Sequence, residues 1–331
     1  WELGFNSKFA DGRINFDLTF YRSNTFNQTF IVDASASSGY KHNIVQTGNI
    51  MNQGIESALG YSDSFAGDKV KFSTNFTFTL NQNRIVSLAN GAKNPETGEE
   101  IKMDYYSKGE LGTNGPVVRL VEGGSMGDIY TNQKLARNAD GTLALIRDEK
   151  GILYPTKETT DYYLLGSILP KFHLGWNLSL SYAGFDLNMQ LAGRFGGLVV
   201  SDTQAIMDQY GVSAVTARAR DAGGIQSGNQ TVGAKEYYSV ASQIIGENYT
   251  YDATNIRLSE VSLNYNLPRK WFRDKVGLSI GFVGRNLCML YCNAPFDPES
   301  TTAVSNNFGQ GVDYFNQPSL RNMGFNIKIT Y

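Results

Sequence analysis

The chain has 331 residues, a formal net charge of -2, and 35 glycines, 19 tyrosines and 19 phenylalanines against 8 prolines, a composition that leans toward β-structure. Charged residues make up 18%, below the roughly 25% of soluble domains, and form no basic stripe, so no nucleic acid partner is expected. Mean hydropathy is -0.30 and no apolar run approaches the roughly 18 residues of a membrane helix, which excludes helical spans but not a barrel, whose strands need only every second residue apolar.

Period-two alternation marks the elements in chain order. A less regular strand over 1–10 leads through a tight turn (ADGR, 10–13) to a strand over 13–21. That strand sets Ile14, Phe16, Leu18 and Phe20 against Asn15, Asp17 and Thr19. After a long segment at 25–48 come a strand over 54–62, a tight turn at 65–69 (FAGDK) and a strand over 70–80. Here Val70, Phe72, Phe76, Phe78 and Leu80 oppose Lys71, Ser73, Asn75, Thr77 and Thr79. A second long segment, 86–168, precedes Leu174, Trp176, Leu178, Leu180 and Tyr182, opposite His173, Asn177, Ser179 and Ser181. The turn YAGF (182–185) returns the chain along Phe185, Leu187, Met189 and Leu191, opposite Asp186, Asn188, Gln190 and Arg194. Beyond a third long segment, 197–254, the strands 256–267 and 276–287 each slip in apolar phase. This predicts a β-bulge near Ser259 and Glu260 and another near Gly284. A fourth long segment, 291–318, precedes the last strand. Its apolar face is Met323, Phe325, Ile327, Ile329 and Tyr331, its polar face Asn322, Asn326, Lys328 and Thr330.

Short turns alternate strictly with long segments, as in a transmembrane antiparallel β-barrel with short periplasmic turns and long extracellular loops. Strands of about ten residues match the tilted length that crosses the hydrocarbon layer. The apolar faces are then expected to meet outer-membrane lipid and the polar faces a wet lumen. Trp1, Tyr61, Tyr182, Phe185, Tyr265 and Tyr331, near strand ends, fit interfacial girdles. A wall of about nine strands is odd in number, whereas single-chain bacterial barrels use an even number. The 331 residues are therefore expected to be the C-terminal part of one barrel domain whose earlier strands lie elsewhere; the opening at Trp1 carries no export signal.

No nucleophile elbow, phosphate loop or His-rich ligand set is present, so neither an enzyme nor a cofactor is expected. Cys288 and Cys292 would stand about 13 Å apart in a strand, beyond the roughly 7 Å Cα limit of a disulfide. Asp297 and Glu299 read as solvated loop charges. Asp186, Arg194, Arg257, Glu260, Arg285 and Lys328 are the charged lumen candidates, expected in cross-strand polar networks. The long segments hold Tyr105, Tyr106, Tyr154, Tyr162, Tyr163, Tyr237, Tyr238, Tyr249, Tyr251, Tyr314 and Phe315. Of these, Tyr105, Tyr106, Tyr237 and Tyr238 are candidates for contact with a substrate or lid, with packing of the loops on one another as the alternative.

Five segments in order resemble the SusC/RagA family of TonB-dependent transporters. They are NQGIE (52–56), LPKFHLGWNLSLSYAGFDLNMQLAGRFGG (169–197), NIRLSEVSLNYNLP (255–268), GRNL (284–287) with DPE (297–299), and the ending PSLRNMGFNIKITY. The resemblance implies a barrel of about 22 strands with an N-terminal plug and a TonB-box segment outside this chain. It further implies energised import of an oligosaccharide or peptide across the outer membrane, a SusD-like surface lipoprotein as cap, and the TonB complex as motor. Asn138, Asp140 and Gly141 form a thin version of an acidic stretch the family carries, short of the carboxylate oxygens that calcium wants. The competing readings are a passive porin or adhesin-type barrel and a soluble carbohydrate-binding β-sandwich.

Overall fold

The structure, a computed structural model, describes residues 1–33, 42–89, 93, 98, 100, 104–111, 115–301 and 311–331. The chain opens with an up-and-down meander of β1 (Glu2–Phe9), β2 (Ile14–Asp33), β3 (His42–Phe65) and β4 (Val70–Ser87). It leaves the wall through β5 (Tyr105–Glu110), β6 (Val117–Val121), β7 (Asp128–Leu135), β8 (Leu145–Arg147), β9 (Leu153–Pro155) and β10 (Lys157–Ser167), and returns as the hairpin β11 (Phe172–Tyr182) and β12 (Phe185–Phe195). A second excursion contains β13 (Leu198–Ser201), α1 (Asp202–Gln209), α2 (Ala214–Asp221), β14 (Ile225–Ser227), β15 (Gln230–Val232), α3 (Ala234–Ala241), α4 (Ile245–Asn248) and β16 (Thr250–Asp252). Then come β17 (Asn255–Asn266), a 3-10 turn at Arg269–Phe272, β18 (Gly277–Cys292), β19 (Val312–Asp313) and β20 (Asn322–Thr330).

Nine of these strands make one antiparallel sheet in the order β1-β2-β3-β4-β11-β12-β17-β18-β20. Register keeps the two faces pure. Phe16 pairs with Leu59, Leu59 with Phe76, Phe76 with Trp176 and Trp176 with Leu191, so one apolar row crosses five strands. No second layer of described residues covers the apolar face: Phe76 is 51% exposed and Leu263 44%. The competing reading as a β-sandwich fails on this point, because a sandwich buries these ridges between sheets. Even the Trp176 indole finds its partner within the face, donating to Thr74 Oγ1 at 2.8 Å, as an N–H facing an apolar medium requires.

The buried cores lie instead at the long-loop end. Ile85, Leu88, Leu120, Ile129, Val200 and Tyr249 pack together there, combining the tops of the wall with the loop sheets and helices. The segments read as long loops are therefore largely folded. The excursion over 86–168 builds a four-stranded sheet, β10-β7-β6-β5, and that over 197–254 builds helices, because each is long enough to bury apolar side chains of its own. The segment 25–48 is corrected further: β2 and β3 continue as a paired ladder from Phe26↔Asn49 to Asp33↔His42, since the sequence past Tyr21 keeps β-forming residues and loses only the apolar alternation.

The short ends turn tightly. Tyr182 pairs with Phe185 across Ala183 and Gly184, both at positive φ (50° and 87°), the twist that a two-residue hairpin needs. The bulge expected at Ser259 is present, since Gln190 faces Glu260 while Leu191 faces Leu258. The one expected near Gly284 falls slightly later. Leu258 faces Cys288 and Glu260 faces Arg285, leaving Asn286 (φ 52°) and Leu287 opposite Ser259.

Candidate functional site

The polar face is the first part of the site, and its side chains bond across strands. Asp186 accepts from Ser181 Oγ and from Asn266 Nδ2, each at 2.5 Å, and Asn188 accepts from Ser179 Oγ and donates to Ser262 Oγ at 3.2 Å. Arg285 Nε donates to Glu260 Oε2 at 2.8 Å between directly paired residues of β17 and β18. Lys328 stands on the same face, opposite Ser279. Asp186, Glu260 and Arg285 thus hydrogen-bond across neighbouring strands.

The upper rim departs from expectation. Asp297 is not a solvated loop charge: its side chain is 9% exposed and ion-pairs with Arg257 at 2.8 Å, while Glu299 reaches the same guanidinium at 3.2 Å. Asp297 also accepts from Ser319 Oγ and from the Glu299 N–H, and buried Asn255 donates to Glu299. Burial works against the Asp297 carboxylate, but the hydrogen bonds from Ser319 and Glu299 and the Arg257 guanidinium outweigh it and hold its pKa below the ordinary value. Arg257 therefore binds the segment after β18, not another wall charge. Arg194, too, leaves the wall network and donates to the Ile168 carbonyl at 2.9 Å, clasping the end of the first excursion.

In the loop body the Arg119 guanidinium lies between two rings, 4.1 Å from the Tyr105 centroid and 3.6 Å from that of Tyr162. Tyr106 packs on the core with Ile85 and Leu120. Tyr237 and Tyr238 meet edge to face on α3, centroids 5.0 Å apart, and both line a cavity at whose floor Asp208 accepts a hydrogen bond from Tyr249. Tyr105 and Tyr106 lie outside that cavity, so the two tyrosine pairs do not share one pocket. Asp140 takes Thr142 N–H and Oγ–H at 3.0 and 2.6 Å, closing a turn with Gly141 at φ 83°. Among the described residues no group of three or more metal-ligating side chains assembles. Cys288 and Cys292 are free thiols on β18.

The last strand, β20, pairs with β18 at one edge of the nine-stranded sheet. Phe325 pairs with Phe282 and Ile327 with Ile280, with Met323 and Ile329 in line, and Tyr331 follows fully exposed.

No protein-family model matches the sequence. Across 99% of its length the chain is 26% identical to TonB-dependent receptor P3 of Formosa agariphila, and across its whole length 21% identical to TonB-dependent receptor P26 of the same organism. The fold is similar to the RagAB peptide importer in its open-open state (TM-score 0.71, 17% identity) and closed-closed state (0.70, 16%), covering 99% of this chain in each case. Along its whole length the chain is thus similar to curated TonB-dependent receptors, and its fold is that of the corresponding part of the RagAB barrel. It spans 34% of the length of these relatives and structures.

In outer-membrane β-barrels generally, apolar rows face lipid, polar rows face the lumen, short turns are periplasmic and longer loops extracellular. Tyr182, Phe185 and Tyr265, three of the six residues expected in interfacial girdles, cluster at the short-turn end, where the Phe185 and Tyr265 rings stand 4.5 Å apart. The glycine of the segment NQGIE has a physical reason. A Cβ at Gly54 would stand 2.2 Å from the Leu80 carbonyl oxygen and 2.5 Å from the Tyr21 hydroxyl, so only glycine lets the Tyr21 ring cross β3 to reach Asn81. Sequence reasoning missed the Arg257–Asp297 rim pair, although the RL and DPE segments were both in view. Nothing in the polar helix segment around Asp208 marked it in advance.

Proposed function

We propose that this chain supplies the C-terminal wall and outer loops, a single barrel-domain portion, of an outer-membrane transporter that imports a large nutrient by TonB-driven rearrangement of a plug. The observation that carries this reading is a nine-stranded wall with an exposed apolar face, a hydrogen-bonded polar face and a folded body standing over one end only. The likeness of the whole chain to TonB-dependent receptors supports this reading over a passive pore. The remaining strands, to about 22 in all, the plug and the TonB-box segment belong to the rest of the protein, and a SusD-like lipoprotein caps the loop body. The substrate is an oligosaccharide, as the family resemblance implies, or a peptide, as the name of the RagAB importer suggests. The chain carries out no catalysis and needs no cofactor.

The test is uptake by cells carrying the full-length protein, with and without TonB, and with and without a co-expressed SusD-like lipoprotein. Import requires TonB and falls when the lipoprotein is removed. Uptake indifferent to TonB would leave the porin reading in its place.

A further inference from the structure

The tyrosine cavity in the second excursion has a chemistry of its own. It measures ≈ 440 Å³ and is walled by Tyr237, Tyr238, Tyr249 and Tyr251, with Asp208 and Gln204 from α1. Asp208 is 4% exposed, and its carboxylate takes hydrogen bonds from two neutral donors, Gln204 Nε2 at 2.8 Å and Tyr249 Oη at 3.1 Å. No lysine, arginine or histidine is among the lining residues. Exposed Val215, Asn293 and Pro295 form the mouth.

A buried carboxylate wants a cation, because neutral donors only partly repay its lost hydration. Each oxygen of Asp208 keeps acceptor capacity beyond the single bond it receives. The four tyrosines that line the same space carry π systems of the kind that favours a desolvated ammonium further. The phenols themselves stay neutral: burial first and the Asp208 charge second push Tyr251 up to about 12 and Tyr249 higher still. Asp208 is the one carboxylic acid among the lining residues, while Arg218 acts on the Tyr238 phenol and Arg137 and Glu247 on that of Tyr237 from outside the lining.

We infer that this cavity is a subsite for a primary ammonium group of the imported molecule, held on Asp208 and enclosed by the tyrosine rings. The inference rests on the import reading above and narrows its substrate to molecules bearing a free amine. Two sources share that chemistry, the amino terminus or lysine of a peptide and the amine of an amino sugar.

The test is calorimetric titration of the detergent-solubilised full-length transporter with trialanine, N-acetyl-trialanine, a glucosamine trimer, an N-acetylglucosamine trimer and maltotriose. Free-amine probes bind, and acetylation weakens them by about tenfold or more. Binding of trialanine alone assigns the site to peptides, and binding of the glucosamine trimer alone to amino sugars. Asp208→Asn abolishes the preference for the free amine. Because that change touches a buried group, Val215→Arg at the exposed mouth is the companion variant, and it weakens the amine probes by charge repulsion without altering the floor. Equal affinity for free and acetylated probes, binding of maltotriose at the same strength, or no binding of either amine probe overturns the proposal. TonB-dependent uptake with no amine preference sinks the subsite and leaves import standing; amine-selective binding with TonB-independent uptake does the reverse.

Discussion

Arg257 of β17 and Asp297 of the segment after β18 stand 2.8 Å apart with side chains 12% and 9% exposed, and they fasten the outer loops to the barrel rim. Asp297 binds Ser319 as well, so one carboxylate holds the start and the end of the connection between β18 and β20. Breaking a buried pair by removing one partner strands the other charge. With Glu299 as a partial substitute, Asp297→Ala is expected to cost about 2–4 kcal/mol in the local opening of residues 293–301, read by hydrogen exchange. The exposed Glu260–Arg285 pair, 36% and 68% exposed, is the contrast: Glu260→Gln should change barrel stability by less than about 1 kcal/mol.

The same carboxylate sets an acid limit. Its folded pKa lies below the ordinary 3.8, so its contribution is complete above that value and is lost as the pH falls through the folded value. Loop opening measured by hydrogen exchange, corrected for intrinsic rates, should stay level from pH 7 to 4 and rise only in stronger acid. A rise already between pH 6 and 5 would show that another group governs the rim.

Lipid and lumen faces can be told apart by placing the same charge on each. Phe76 and Asn75 are neighbours on β4, the first stacked on Trp176 at 5.9 Å and the second facing the other way, paired in register with Gly60 and Asn177. Phe76→Arg should destabilise the folded barrel in lipid vesicles by about 2–4 kcal/mol, whereas Asn75→Arg, on the wet side, should come close to neutral. Denaturant unfolding followed by gel migration separates the two. Equal effects would remove the assignment of faces.

Gly54 offers a steric test. Adding one methyl group there meets the Leu80 carbonyl and the Tyr21 hydroxyl, so Gly54→Ala should lower the unfolding temperature and the yield of heat-modifiable barrel. A double change, Gly54→Ala with Tyr21→Ala, should recover part of the loss by clearing the ring, the backbone clash remaining. No recovery would mean that the carbonyl contact alone sets the cost.

The wall was legible in the sequence because a strand's side-chain period of two is local: alternating rows such as Leu174, Trp176, Leu178, Leu180 and Tyr182 name their own face before any partner is known. Phase slips located the Ser259 bulge for the same reason. The loop body was not legible, since short strands such as Leu145–Arg147 and helices such as Asp202–Gln209 gain their stability from cores shared with distant segments.

By itself, then, the amino-acid sequence determined a curtain of antiparallel strands, apolar on one side and polar on the other, with all its length gathered at one end. Only the tertiary structure decided which charges meet: Arg257 with Asp297 across 40 residues of chain and Asp208 with Tyr249 across 41. Ion pairs and buried hydrogen bonds depend on distances between residues remote in sequence, and no local pattern encodes those distances.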